Sequence, residues 1–220
     1  IHPESGGSDM KADLKQPNGH GGTAVLETLA DVTNGGAEDI RLGAPYRVMV
    51  TIEGNAALLF HAWDVDAVAT KAAAKKNSEA KKSDNIESYV HRNAAGEICL
   101  PGEYLRQAII GAARYLQDPR SPRKSAMDLY KAGLVCLTEL ASLGSTEWDY
   151  LDRRRVTIQR NGITRQRPAF NPGWQASVEL LVLTPEYIGP AELQRCLSEA
   201  GRLIGVGDFR PTFGRFGLVG

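Results

Sequence analysis

A glycine-rich segment near the end of the chain limits the possible fold more than any other feature. Between Gly205 and Gly217 lie four glycines, two arginines and three phenylalanines. The segment directly follows an amphipathic helix pattern over 190–204, and residues 215–219 after it have the pattern of a strand. Glycine permits positive φ angles and a close approach of the backbone to other groups. The order predicts a helix, then a constrained loop, then a final strand.

Strand and helix patterns upstream of that segment complete the fold prediction. Strand patterns cover 47–54, 134–140 and 177–183, and a strong helix pattern covers 103–116. Asn161-Gly162, a strong hairpin signal, stands between the strand patterns 154–160 and 163–170. Runs of antiparallel strands with helices on one face give an α+β fold. We therefore predict a ferredoxin-like, RNA-recognition-type antiparallel sheet with helices on one face, inserted arms and a long β-hairpin.

The first part of the chain differs in composition from the remainder. Residues 1–44 are rich in glycine and polar residues and predict a flexible or partner-ordered extension, in which 1–9 are an added leader before a natural start at Met10. Residues 45–220 are predicted to form a single domain. Insertions into that domain are expected at about 64–96 and 141–172, judged from the turn and charge patterns there.

Composition excludes several classes of protein. The chain has 220 residues, of which 42% are hydrophobic and 24% charged, as in a soluble globular protein. No run approaches the roughly 18 apolar residues of a membrane span, and no secretory signal is visible, so a cytoplasmic protein without membrane contact is predicted. Cys99, Cys136 and Cys196 are predicted to be buried free thiols. No Cys/His spacing suggests zinc, so neither a metal nor a cofactor is expected.

Charge is segregated along the chain although the net charge is zero. Residues 153–170 contain six arginines and no acid, and residues 71–82 contain five lysines and one acid. Alternate residues of a strand face one side, so Arg165 and Arg167 share a face, as do Arg153 and Arg155. An arginine-rich ribbon of this kind can lie along a phosphate backbone, because the guanidinium fork matches phosphate geometry.

Three segments, in chain order, carry a family resemblance. Residues 96–109 contain Ile98-Cys99-Leu100-Pro101-Gly102 at the opening of a helix. Residues 154–162, followed by Asn171-Pro172-Gly173-Trp174, form the second segment, and the glycine-rich residues 205–216 form the third. Together they resemble the RAMP superfamily, and in particular the RNA-binding backbone subunits of CRISPR effector complexes. The resemblance covers roughly residues 46–219.

This resemblance implies a function and a set of partners. It implies a non-catalytic subunit that binds guide RNA by its phosphate backbone and packs side by side with copies of itself in a filament. Other effector subunits and a complementary target strand are further implied partners. Binding at the start of the helix also follows, because a helix N-terminus attracts anions and Arg106 stands in its first turn.

The expected RNA-binding residues lie in the helix start, the lysine run, the hairpin and the terminal loop. They are Arg106, Lys71, Lys75, Arg153, Arg154, Arg155, Arg160, Arg165, Arg167, Gly205, Gly207, Arg210, Phe213 and Arg215. A base is expected to stack on Phe209 or Phe213, unless both rings only pack the loop.

Two other functions remain open from the sequence. One is an endoribonuclease. It would cleave repeat RNA without metal, with His61 as acid or base, or it would cleave RNA with a metal ion bound by Asp64 or Asp66. The other is a single-stranded nucleic-acid-binding protein of phage type on a related fold. Against catalysis, a histidine between Phe60 and Trp63 is more often a packing residue, so the sequence favours no catalytic residue.

Overall fold

The computed structural model describes residues 43–62, 73, 85–158 and 161–219. Of the predicted features, the extension up to residue 42, most of the first insertion and the residues Asp64, Asp66, Lys71, Lys75 and Arg160 lie outside the described residues. Within the described part, no helix combines the length and apolar character needed to cross a membrane.

The described chain contains twelve strands and three α-helices. In chain order they are β1 (Tyr46–Gly54), β2 (Leu58–Leu59), β3 (His91–Arg92), β4 (Ile98–Pro101), α1 (Gly102–Ala113), β5 (Gln117–Asp118), β6 (Ser121–Ser125), α2 (Met127–Gly133), β7 (Leu134–Cys136), β8 (Leu140–Ser142), β9 (Tyr150–Ile158), β10 (Asn161–Phe170), β11 (Gln175–Val182), α3 (Pro190–Glu199) and β12 (Phe216–Leu218). A 3₁₀ turn, Ile86–Tyr89, precedes β3, and a π turn, Ala200–Ile204, extends α3.

The central sheet has the strand order β12-β1-β11-β7, and every pair in it is antiparallel. Taken along the chain with α1 and α3, these strands read β-α-β-β-α-β, which is the ferredoxin-like arrangement. The predicted α+β fold is therefore confirmed. The other strands belong to segments inserted between these six elements.

One hydrophobic core lies between the central sheet and the helices. In β1 and β11 the buried residues alternate with exposed ones, as expected for strands covered on one face. Helix α1 buries Leu105, Ala108, Ile109 and Ala112, which recur at the spacing of a helix face. Helix α3 begins with Pro190 in its first turn, where proline suits a helix, and buries Leu193, Cys196 and Leu197.

The inserted strands form two features that matter for the functional site. Strands β9 and β10 make the predicted long hairpin. The short strand β2 pairs with the base of β10, where Leu59 stands opposite Ala169 and Leu58 opposite Phe170. Strands β5 and β6 form a separate small ribbon that follows the end of α1.

The predicted turn of the hairpin was wrong. Asn161 pairs with Ile158 and Gly162 with Thr157, so both residues lie inside β10, and the positions between the paired strands are 159 and 160. The register is set at the other end, where Ala169 is fully buried and pairs with Tyr150. A slip would move buried side chains to the solvent face, so burial at the base outweighs the local turn preference.

Two predicted elements were interrupted. The strand pattern 134–140 is split into β7 and β8, because the chain leaves the central sheet at Cys136 and β8 then pairs with β4. The helix pattern 190–204 ends as an α-helix at Glu199 and continues as the π turn. In that turn Gly201 packs directly on Phe216, since a Cβ atom there would lie 2.1 Å from the Phe216 carbonyl oxygen.

All three cysteines are free thiols, as predicted. Cys99 and Cys196 are buried, as predicted. Cys136 was also predicted to be buried, but it is half-buried. Burial raises the pKa of the Cys196 thiol to about 12, so this group stays protonated near neutral pH.

Candidate nucleic-acid interface

The cross-strand register sorts the hairpin arginines onto two faces. Arg165 stands opposite Arg154, and Arg167 stands opposite Asp152. Directly opposed residues of an antiparallel pair project to the same side of the ribbon. We call the side that carries Asp152, Arg154, Arg165 and Arg167 the inner face, and the side that carries Arg153 and Arg155 the outer face.

Side chains on the inner face are bound to acceptors of the protein itself. Arg167 is only 5% exposed, and its Nε donates to Oδ2 of Asp208 at 2.5 Å. Arg154 Nε donates to both carboxylate oxygens of Asp152, at 2.7 and 2.8 Å. Asp152 is itself buried. The inner face therefore has its charge largely neutralised within the fold.

The third arginine of the inner face contacts His61, which follows β2. Arg165 Nη1 lies 2.8 Å from His61 Nε2. A guanidinium can only donate, so His61 Nε2 accepts this hydrogen bond and carries no proton. The His61 ring also packs edge-on against Tyr89, with 4.4 Å between the ring centroids. These contacts hold the His61 ring within the fold.

The terminal loop, residues 205–215, is closed by hydrogen bonds and lies on β2. Val206 N donates to Gly214 O at 2.9 Å, which closes the loop across its neck. Asp208 N donates to Leu59 O and Gly214 N donates to Ala57 O, both at 2.8 Å. Because β2 also pairs with β10, it brings the loop against the base of the hairpin.

Gly207 shows why this loop needs glycine. It has a φ of 77°, and a Cβ atom would lie 2.6 Å from Leu58 Cδ1 and 2.7 Å from Leu59 O. Both the backbone conformation and the close approach to β2 thus exclude a larger side chain. The sequence-based expectation of a constrained loop at this position agrees with this geometry.

Two phenylalanines of the loop have different environments. Phe213 is 8% exposed and packs with Leu59 and Ala169 in a small second core. Phe209 is 40% exposed and meets Phe213 edge-on, with 5.9 Å between the ring centroids. The Arg154 guanidinium lies over Phe213 at 4.4 Å, so the inner face of the hairpin also packs on the loop.

Tyr104, at the start of α1, interacts electrostatically with the same loop. Burial raises the pKa of the Tyr104 hydroxyl; to a smaller extent, the positive charge of Arg210 lowers this pKa and the negative charge of Asp208 raises it. The Tyr104 hydroxyl lies 3.5 Å from His91 Nε2. Burial lowers the pKa of His91, so this imidazole is predominantly neutral at physiological pH.

Arg106, a predicted phosphate contact, forms hydrogen bonds within the fold. Its guanidinium donates at 2.7 Å to each of three acceptors, which are Leu134 O, Lys131 O and Glu103 Oε1. These bonds connect α1 to the end of α2 and the start of β7. The side chain therefore contributes to the packing of the helix, and its phosphate contact stays a prediction.

Exposed arginines remain on the outer face and on the loop. Arg153 and Arg155 are exposed on the hairpin, and Arg210 and Arg215 are exposed on the loop. Among the described residues, none of these four forms an ion pair with a carboxylate. The loop packs on the inner face, so Arg153 and Arg155 lie on the side of the hairpin that faces away from it. We call these four arginines and Phe209, taken together, the hairpin–loop surface. Among the other predicted positions, Gly205 and Gly207 form the loop backbone, and Lys71, Lys75 and Arg160 lie outside the described residues.

Several residues of this site were not predicted. Asp152 and Asp208 neutralise the inner face, and β2 connects the loop to the hairpin. Asp152 directly precedes the arginine run, and its spacing of two from Arg154 was a usable signal. Nothing local pairs Asp208 with Arg167, because the two residues are 41 positions apart.

The solvent-facing side of the central sheet is a less suitable place for RNA than the hairpin–loop surface. RNA-recognition sheets stack bases on aromatic side chains. Here the outward positions of β1 and β11 are joined to one another by polar contacts: Thr51 with Ser177 at 2.9 Å, Gln175 with Glu53 at 2.6 Å, and Arg47 with Glu179 at 3.5 Å. These side chains satisfy each other and include two carboxylates.

Metal-ligating side chains do not cluster in the part of the chain that the structure describes, where no group of three or more His, Cys, Asp or Glu is arranged to hold an ion. Asp64 and Asp66 lie outside that part.

The chain is similar in structure to known proteins, whereas its sequence matches none of the families or curated proteins compared with it. No family model matches the chain, and no curated protein matches it. Among solved structures, the crystal structure of Cmr6 from Pyrococcus furiosus is similar at 10% sequence identity and a TM-score of 0.45. The match covers 81% of this chain and 100% of that one. The fold assignment rests on the strand order of the central sheet.

Proposed function

We propose that this protein binds single-stranded RNA through phosphate and ribose contacts on the hairpin–loop surface. The main support is that β2 joins two segments distant in sequence, the hairpin base and the terminal loop, into one ordered structure with exposed arginines. Arginine forks suit phosphate oxygens, and a pre-ordered loop loses little conformational entropy on binding.

Charge pairing on the inner face supports the same proposal. Asp152 and Asp208 are hydrogen-bonded to Arg154 and Arg167. Arg153, Arg155, Arg210 and Arg215 form no ion pair with a carboxylate among the described residues, so each of them adds a positive charge to the surface. Such a charge pattern attracts a polyanion and makes its binding depend steeply on salt.

We further propose that the RNA is a guide RNA and that the protein is a repeated subunit of a CRISPR-type ribonucleoprotein effector. This rests on the ordered resemblance of residues 96–109, 154–174 and 205–216 to RAMP-superfamily subunits. Copies of the protein would then line the guide together with other effector subunits, and a complementary target strand would pair with the bases. A guide of variable sequence has to be bound mainly through phosphate and ribose.

The first experiment measures how RNA affinity depends on salt. The double variant Arg210→Ala with Arg215→Ala is compared with wild type on a labelled single-stranded RNA. Each lost phosphate contact is expected to flatten the log–log salt dependence by about 0.7 for single strands. A matched control is Arg123→Ala with Lys124→Ala, which removes the same charge from the exposed strand β6. Equal slopes for both double variants and wild type would contradict the proposed surface.

The second experiment identifies the bound nucleic acid. The protein is purified from its host and the copurifying nucleic acid is sequenced. Repeat–spacer RNA is the expected result. DNA, or RNA without a repeat signature, would contradict the guide-RNA proposal and favour a general single-strand binder.

A further inference from the structure

Phe209 stands in a backbone conformation that the rest of the loop gives to glycine. Gly205, Gly207 and Gly214 have φ angles of 75°, 77° and 68°. Phe209 has a φ of 59°, and it is the only non-glycine residue with positive φ among those described. A bulky side chain in this region is strained, and glycine there would relieve the strain. Phenylalanine at this position therefore implies a use for its ring.

Packing of the loop does not account for that ring. Phe213 already fills the small core beneath the loop with Leu59 and Ala169. Phe209 touches Phe213 only edge-on and leaves 40% of its surface exposed. An aromatic ring with an exposed face is available for stacking on a flat ligand.

Arginines surround this ring. The guanidinium carbon of Arg167 lies 5.4 Å from the Phe209 ring centroid, and that of Arg154 lies 5.8 Å from it. Both guanidiniums are fixed by carboxylates, so the ring rests on a support that is already ordered. Arg210, the next residue, is exposed and able to contact a phosphate.

A buried donor beside the ring lacks a partner. Arg167 Nη1 is buried and makes no hydrogen bond within the described part of the chain. A buried donor without an acceptor is unfavourable, so the fold does not fully satisfy the polar groups beneath the ring. Nucleobases present a flat π surface, which matches an exposed aromatic ring.

We propose that Phe209 is the stacking site for a single unpaired nucleobase of the bound strand. This inference rests on the proposed function, and it adds a base contact to a surface otherwise assigned to phosphate and ribose. Stacking tolerates any base, because every base has a π face, so the contact is compatible with a strand of variable sequence.

The test uses an oligouridylate with one 2-aminopurine, whose fluorescence is quenched by stacking. Wild type, Phe209→Leu and Phe209→Trp are compared by fluorescence and by affinity. Phe209→Leu is expected to lose the protein-dependent quenching and about tenfold in affinity, while its salt slope stays that of wild type because no phosphate contact is removed. Phe209→Trp is expected to retain both quenching and affinity.

Stability provides the control against a purely structural role. Phe209→Leu is expected to unfold at the wild-type temperature within a few degrees, since Phe213 supplies the packing. If Phe209→Leu keeps the affinity, the quenching and the steep salt dependence of wild type, the stacking site is overturned and the proposed function is not. Absence of salt-dependent binding in every variant, wild type included, would overturn the proposed function as well. A large fall in unfolding temperature in Phe209→Leu, with unchanged affinity for the folded protein, would assign Phe209 to packing.

Discussion

The two faces of the β9–β10 hairpin both carry arginines, but these arginines have different environments. On the inner face, Arg154 and Arg167 bind carboxylates within the fold, and Arg167 is buried. On the outer face, Arg153 and Arg155 are exposed. Adjacent arginines in one run thus differ because the strand alternates, and the number of arginines in a segment overestimates the charge available to a ligand.

This difference has an energetic basis. A guanidinium at the hairpin base has left water, and it is stable there only because a carboxylate compensates for the lost hydration. Removing Arg154 or Arg167 from the inner face therefore leaves a carboxylate without its partner. Removing an arginine from the outer face removes only a side chain that is exposed to water. The inner face is expected to control stability and the outer face to control binding.

The largest effect is expected from separating the loop from β2. Gly207→Val places a β-branched residue at positive φ and against the Leu59 carbonyl. We expect the free energy of unfolding to fall by about 3 kcal/mol or more. Urea unfolding of the purified variant measures this change.

Gly217 provides the matched control for that substitution. A Cβ atom at Gly217 meets nothing within 4 Å, and the residue is exposed in β12. Gly217→Val is expected to change the free energy of unfolding by less than about 1 kcal/mol. If both valine variants lose the same free energy of unfolding, the contact of the loop with β2 is not what stabilises the protein.

The next effect comes from the inner face itself. Arg167→Ala removes the partner of Asp208, whose side chain remains 32% exposed. We expect a loss of about 2 kcal/mol of stability, less than for a fully buried pair because water can reach Asp208. Thermal unfolding measures it, with Arg155→Ala as the outer-face control at about 0.5 kcal/mol or less. A stability loss in Arg155→Ala as large as that in Arg167→Ala would invalidate the distinction between the two faces.

The outer face is expected to affect binding without affecting the fold. Arg153→Ala with Arg155→Ala should lower RNA affinity roughly tenfold at physiological salt and flatten the salt slope by about 1.4 for the two contacts. Filter binding over a range of salt concentrations tests this. An unchanged slope would assign the phosphate contacts to the loop arginines alone.

The smallest effect concerns His91, which lies beside Tyr104 at the start of α1. Burial lowers the pKa of His91 in the folded protein, so the unfolded chain binds the proton more readily. The free energy of unfolding should be unaffected by His91 above the unfolded pKa of about 6.5, and it should decrease as the pH falls below that value. Urea unfolding at successive pH values measures the decrease, and His91→Gln should reduce it. A stability that rises on acidification in wild type but not in His91→Gln would show the opposite sign.

The general fold was predictable because it follows from local patterns. Alternating apolar residues in β11 and the helix face of α1 are visible in the sequence and determine which side of each element is buried. The position of the hairpin turn was not predictable, because burial of Ala169 at the far end outweighed the preference of Asn161-Gly162. Local turn preference is the weaker influence where one end of a ribbon enters a core.

The functional site was predictable only in part. The arginines and glycines that form it are visible as a composition bias. Which arginines are neutralised depends on pairs such as Arg167 with Asp208, and on the position of β2 beneath the loop, and these contacts join residues far apart in the chain. The hydrogen bonds of Arg106 could not be predicted for the same reason. Its guanidinium donates to the carbonyls of Lys131 and Leu134, which follow much later in the sequence.

The hydrogen bonds from the terminal loop to Ala57 and Leu59 have a consequence for the order of events during synthesis. A ribosome releases β2 and the hairpin long before residues 205–216, and domains fold as the chain emerges. An incomplete chain therefore has the arginine-rich ribbon but lacks the loop and the carboxylate of Asp208 that neutralises Arg167. In that interval Arg167 lacks the carboxylate of Asp208, and the ribbon carries one negative charge fewer than in the finished protein. Residues 205–216 thus complete the proposed RNA-binding surface only after the ribbon has been made.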